Sequence, residues 1–200
     1  MTVTPPTRPA LRERYDRRQR EIVEIAAGLF ARQGYHASSM TDLIDATGLA
    51  SGGLYHYIGS KEQLLLRICD QLMDPLLAEA DAILARPEPA AERLRLVVRA
   101  WMRHVERHRA HMLVFQQERR ILEADERWQE VRRKRKRFER LVDQLLSEVE
   151  AEADASFPDR QAILLALLGM VNYAPQWFRA DGRLSAAEIA DRWCDLLLGA

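Results

Sequence analysis

Six arginines lie between Arg8 and Arg20, opposed only by Glu13 and Asp16. Such a run is either a solvated tail or an arm that lies along phosphates or enters a minor groove. Here it directly precedes a run of short predicted helices from Ser39 to Leu66, which favours the second reading. In those helices Ser39 and Thr41 stand at a helix start, where a hydroxyl and free N–H groups can receive a phosphate. Arg17, Tyr55 and Lys61 suit backbone phosphates, which fix register without reading sequence. Ser51, Gly52, Gly53 and His56 fall at the outward start of the second short helix. Small residues there let a helix lie close to base edges, and His56 can bond to a base or a phosphate.

A second group with chemical potential is His104, His108 and His111. A His-x-x-x-His pair can ligate a metal. No cysteine and no third carboxylate converges on it in sequence, so solvated or core histidines are the expectation, with no metal and no cofactor. No nucleophile–base–orienter set is recognisable, so no enzyme is expected.

The elements that must position these groups follow from local signals. Ile22, Ile25, Ala26, Leu29 and Phe30 recur at helical spacing, and Gly34 should stop that helix. Ser39 with Asp42 reads as a capping box, Gly48 as the next stop, and Ser51 to Tyr57 as a second helix. Ser60 with Gln63 starts a long helix to about Leu84, which Pro75 should kink. Two short helices with a glycine-containing turn describe a helix-turn-helix, whose second helix sits in a DNA major groove.

The spacing of Phe30, Gly34, Ser39, Asp42, Leu43, Gly48, Gly52, Leu54, Tyr55, His56, Lys61 and Glu62 resembles the TetR family of bacterial transcriptional regulators. The resemblance covers roughly the first third of the chain. It implies an all-α fold, with a three-helix DNA-binding head and a C-terminal domain for effector binding and dimerisation. It also implies a ligand-responsive regulator, most simply a repressor, acting as a homodimer on a palindromic operator. Many members carry Lys where this chain has Ser51, and Ser or Thr where it has Ala50. The arm is therefore expected to carry more of the affinity. The expected division is a flexible basic arm over 1–14, the head over 15–62 and the effector and dimerisation domain over 63–200. QWFRADGRLS, Gln176 to Ser185, is similar to a pattern of one branch, which includes repressors of lipid and sterol catabolism that respond to CoA thioesters.

Composition limits the alternatives. Thirty basic and thirty acidic residues cancel, so any pull toward nucleic acid must come from charge placement. Cys69 and Cys194 lie far apart in apolar helical patterns, which suits a reduced, cytoplasmic protein. The N-terminus lacks the apolar core of a secretory signal. The longest uncharged run, Gln161 to Phe178, is short of the roughly 20 residues that span a bilayer and contains Asn172, Pro175 and Gln176, so no membrane is expected.

Beyond the head, Ala90 to His108 and Met112 to Leu122 read as helices. Met73, Trp101, Met102, Val105, Leu113, Phe115 and Trp177 form an apolar set in which Gln117 and Glu118 are embedded, the mixture that a small-molecule pocket needs. Arg127 to Arg140 holds eight basic residues. It is read as a solvated helix, or as a dock for the phosphates of a ligand such as an acyl-CoA. An efflux-type regulator of cationic drugs is the competing reading, and Glu118 is the carboxylate it would use. A helical enzyme or binding module without DNA would leave the Ser39 to Glu62 pattern unexplained. The helix of Ile163 to Trp177 is apolar nearly all round, and with the apolar last helix it predicts pairing with a second copy through Leu164, Leu167, Val171, Ile189, Trp193 and Leu197.

Overall fold

Two hydrophobic clusters organise the chain, and helix α1 belongs to the smaller one. The computed structural model describes residues 6–118, 126–153, 157 and 159–199. All regular structure among them is helical. α1 (Pro9–Gln33), α2 (Met40–Thr47) and α3 (Ser51–Ile58) form the head. α4 (Lys61–Leu84) leaves it and leads into α5 (Ala90–Arg107) and α6 (Arg109–Gln117). A 3₁₀ turn, Glu126–Trp128, runs into α7 (Gln129–Ala153), followed by α8 (Arg160–Trp177) and α9 (Ala186–Leu198). None of the described helices is long and apolar enough to cross a membrane.

Local chemistry sets the boundaries. Ser39 and Ser185 each accept a bond from the backbone N–H three residues on, and Asp42 and Glu188 reach back to complete capping boxes. Gly48 closes α2 at φ 66°, a left-handed conformation that glycine adopts without Cβ strain. α1 begins earlier than expected. Pro9 occupies its first turn, where a missing N–H costs nothing, and Ala10 to Arg14 contain no breaker. Residues 9–14, expected as part of a flexible arm, are therefore the first turns of α1. The arm's first five residues lie outside the described residues. The expected Met112–Leu122 helix starts sooner, at Arg109, and its last residues also lie outside the described part.

The larger cluster joins α4, α5, α7, α8 and α9. The basic run on α7 serves this packing. Lys134 pairs with Asp70 at 2.6 Å and Asp74 at 2.5 Å, and Arg137 with Asp81 at 2.6 Å, so α7 is tied to the acidic edge of α4. Arg99 holds Asp191 through two bonds of 2.6 and 2.9 Å, fixing α9 on α5. The smaller cluster joins α1, α2, α3 and the start of α4. Val114 of α6, Trp128 and Val131 complete it from the body. Cys69 and Cys194 are free thiols, one at the head's core and one in the body's. Burial raises both pKa values, which keeps them protonated and unreactive.

Candidate functional site

The second short helix, α3, is held by α1 from beneath. Its last carbonyls have no partner within the helix. The Tyr15 hydroxyl donates to the carbonyl of His56 at 3.1 Å, and the Gln19 amide donates to that of Tyr57 at 2.6 Å. Arg67 donates to the Gln19 amide oxygen at 3.1 Å and so fixes the donor. The Tyr15 ring also stacks on Tyr57 at 5.0 Å and meets His56 edge-on at 5.5 Å. Leu54 and Ile58 are fully buried on the inner side. Tyr15 is itself buried, which raises the pKa of its hydroxyl and keeps it a donor.

The outer side of α3 presents Ser51, Gly52, Tyr55 and His56 to solvent, with Gly53 half-buried. A Cβ added to Gly52 or Gly53 would meet no atom of the protein within 4 Å. Nothing inside the fold requires glycine there. Arg8, Arg14, Arg17 and Arg20 are exposed along α1. Arg12 is paired with Asp16 at 3.0 Å and Arg18 with Glu21 at 2.8 Å.

Two expected phosphate ligands have other partners. The Ser39 hydroxyl is bonded to the Asp42 carboxylate at 2.8 Å. Hydrogen bonds from the Ser39 backbone and hydroxyl hold that carboxyl below its usual range. The exposed Thr41 remains available in the same first turn. Lys61 donates to the Ser38 carbonyl and lies over the Tyr35 ring, 4.4 Å from its centre. Burial lowers its pKa. It ties α4 to the segment before α2, so a phosphate contact would require it to turn outward.

The body contains a chamber among α4, α5, α6, α7 and α8, about 40 Å³ in volume, walled by Leu72, Met73, Leu76, Trp101, Met112 and Phe138. Beside it, between α6, α7 and α8, lies an open cleft of about 610 Å³. Phe115, Arg135, Glu139, Leu168 and Asn172 border both, so a thin partition separates them. Met73, Trp101 and Phe115 of the expected pocket therefore converge. Met102 and Val105 are fully buried in the packed core. They stand outside the chamber's lining, as does the half-buried Leu113. Gln117 is exposed. Glu118 is buried toward the head, 3.7 Å from His36. Trp177 is on the surface, 6.1 Å from Trp193. Arg135 belongs to the basic run expected to dock phosphates; sequence reasoning missed Asn172 and the pairing of Arg135 with Glu139, whose charges lie 3.6 Å apart. One helical turn separates that pair, a spacing common on any solvated helix.

Most of the residues expected on a dimer face point into the chain itself. Leu164, Leu167, Val171 and Ile189 are buried inside the chain's own core. Half-buried Trp193 and Leu197 remain near the surface. The outward apolar stripe is Leu165, Tyr173 and Trp177 on α8, with Leu196 on α9, respectively 58%, 66%, 46% and 74% exposed. Because α8 is apolar nearly all round, its sequence could not show which stripe faces inward.

Comparison with known proteins agrees with this architecture. Residues 22–68 match the family described as bacterial regulatory proteins, tetR family. Residues 87–200 match the tetracyclin repressor-like C-terminal domain. The HTH-type transcriptional repressor KstR2 of Mycobacterium tuberculosis (strain ATCC 25618 / H37Rv) is 26% identical over 183 residues, covering 91% of this chain and 92% of its own length. The crystal structure of the TetR family regulator PfmR from Thermus thermophilus is 32% identical with a TM-score of 0.80, covering 90% of this chain and 97% of that one. The crystal structure of AibR in complex with isovaleryl coenzyme A and operator DNA is 27% identical with a TM-score of 0.76 and the same coverage.

The clasp beneath α3 yields a test. Tyr15→Phe removes the donor to the His56 carbonyl and should cost about 0.5–1.5 kcal/mol in urea unfolding, the usual net worth of one hydrogen bond. A double variant with Gln19→Ala should lose more. Unchanged stability in the double variant would mean that α3 is held by its apolar side alone.

Proposed function

The chain belongs to the TetR family of bacterial regulatory proteins, and from that premise we propose that it is a cytoplasmic, dimeric repressor released from its operator by an acyl-CoA. α3 is the reading helix. Ser51, Gly52, Gly53 and His56 approach the base edges, while Arg17, Thr41 and Tyr55 contact phosphates. Residues 15–62 bind DNA, and residues 63–200 bind the effector and the second copy. Two heads must stand roughly 34–36 Å apart to meet successive major grooves.

The observation that carries the effector reading is the placement of α6. Val114 is buried in the head's core, while its neighbour Phe115 stands in the partition between chamber and cleft. Turning Phe115 would join the two spaces into a pocket of ordinary ligand size, roughly 300–1,000 Å³. An acyl group would fill the apolar chamber, with Arg135 and Asn172 at the mouth for the polar remainder of the thioester. Moving Phe115 drags Val114, and so transmits occupancy to the head. The ligand works by preferring the head spacing that DNA does not. AibR, which is similar along most of its length, binds isovaleryl coenzyme A. A cationic-drug reading loses support, because Glu118 faces the head and Glu139 already has Arg135 as its counter-charge.

Gel shifts on the DNA upstream of the chain's own gene test this directly. Acyl-CoAs should release it, the matching free acids should do so more weakly, and cationic dyes should have no effect. Release by dyes and by no thioester would overturn the acyl-CoA reading. Dimerisation has its own test. Leu165→Glu with Tyr173→Glu would bury unpaired charges between two copies, at about 3–5 kcal/mol. Sedimentation should then show folded monomers. A wild-type chain that is monomeric at micromolar concentration would contradict this assembly.

A further inference from the structure

At the joint between head and body, Glu24 of α1 faces the turn between α5 and α6. The His111 Nε2 lies 3.7 Å from a Glu24 carboxylate oxygen, and the His108 Nδ1 lies 4.0 Å from the same oxygen. Among the described residues these three form a cluster whose ligand-capable atoms all lie within 4.8 Å of one another. The separations exceed hydrogen-bond length, so the groups face each other across a gap without bonding. His111 has no solvent exposure, and its Nε2 meets the Gln71 side-chain oxygen at 3.3 Å, a contact that a metal would displace; the His108 Nδ1 is buried with no hydrogen-bond partner. A buried ring nitrogen aimed at a carboxylate and bonded to nothing is costly unless something else occupies the space between.

We propose that Glu24, His108 and His111 bind a divalent transition-metal ion, zinc being the best match, which bridges the first helix of the head to the body. Two imidazoles and one carboxylate are a donor set that zinc takes with a fourth position left to water. Metal bonds of about 2.0–2.1 Å in a tetrahedron hold ligand atoms roughly 3.3 Å apart, so groups that stand 3.7 and 4.0 Å apart here would draw together on binding. Glu24 is half-exposed, and its side chain has the freedom to close that distance. His104 stacks on His108 at 5.5 Å and lies 3.6 Å from Glu79, which steadies the His108 ring from behind. The sequence shows the histidines but not Glu24, which comes from a distant helix. Because the ligands belong to both sides of the joint, bound metal would fix α1 against α6. It would be a second input to the head, separate from the chamber.

The test uses the full-length protein, stripped with chelator and titrated with zinc sulfate against a chromophoric zinc indicator. One zinc per chain with micromolar affinity is expected, and magnesium should not compete. Glu24→Gln, a half-exposed position that the fold does not need, should weaken binding at least tenfold, and His108→Ala should do the same. Zinc should raise the melting temperature of the wild type and not that of Glu24→Gln. Absence of saturable binding by the wild type would overturn the proposal and leave a water-filled hydrogen-bond network. Equal zinc affinity of Glu24→Gln and the wild type would overturn it as well, by placing the metal elsewhere.

Discussion

Helix α1 packs against α3 near one end and against α6 along another face, and the head's core is completed by residues of the body. Ile22, Val23, Ala26 and Phe30 are fully buried, and Val114, Trp128 and Val131 complete their cluster from the body. Fully burying one such aliphatic side chain is worth about 1.5–3 kcal/mol, so the seam cannot open without a large fraction of a domain's net stability. The head consequently has no orientation of its own. Whatever displaces α6 displaces α1, and α1 carries α3 through Tyr15 and Gln19.

This constraint explains how two apparently separate tasks share one chain. α6 is short and contributes to both clusters, with Val114 in the head's and Phe115 beside both. Close-packed interiors transmit strain because they have little free volume to absorb it. A ligand that displaces Phe115 by a side chain's width must therefore be accommodated by movement of α6 or α8. In the proposed assembly the exposed stripe of α8 is covered by a second copy, which would resist there and let the head yield.

Legibility in the sequence followed the range of the interactions. Ser39 with Asp42, Ser60 with Gln63 and the stops at Gly34 and Gly48 act within one turn, and each marked its helix end correctly. The all-helical class and the order of elements followed from them. The charges of α7 were ambiguous because their partners, Asp70, Asp74 and Asp81, belong to a helix far away in the chain. Lys61 read as a surface cation, since nothing local reveals that Ser38 and Tyr35 fold beneath it. The register of α8 was hidden for a different reason. With apolar residues on every side, burial was decided by the shape of α5, α6 and α7, and the stripe of Leu164, Leu167 and Val171 turned inward.

Distance measurement between the two heads tests the central claim most directly. A spin label at Ala46→Cys, exposed on α2 and outside the assigned DNA contacts, reports on both heads of a dimer, and the two native cysteines are buried against labelling. Pulsed electron resonance on the DNA-bound dimer should show one narrow distance. Addition of an acyl-CoA that releases the DNA should shift that distance by several ångströms in the wild type, and much less in Phe115→Ala, where the lever is cut short. DNA release with no change in the distance would contradict the account, because the effector would then act without moving the heads.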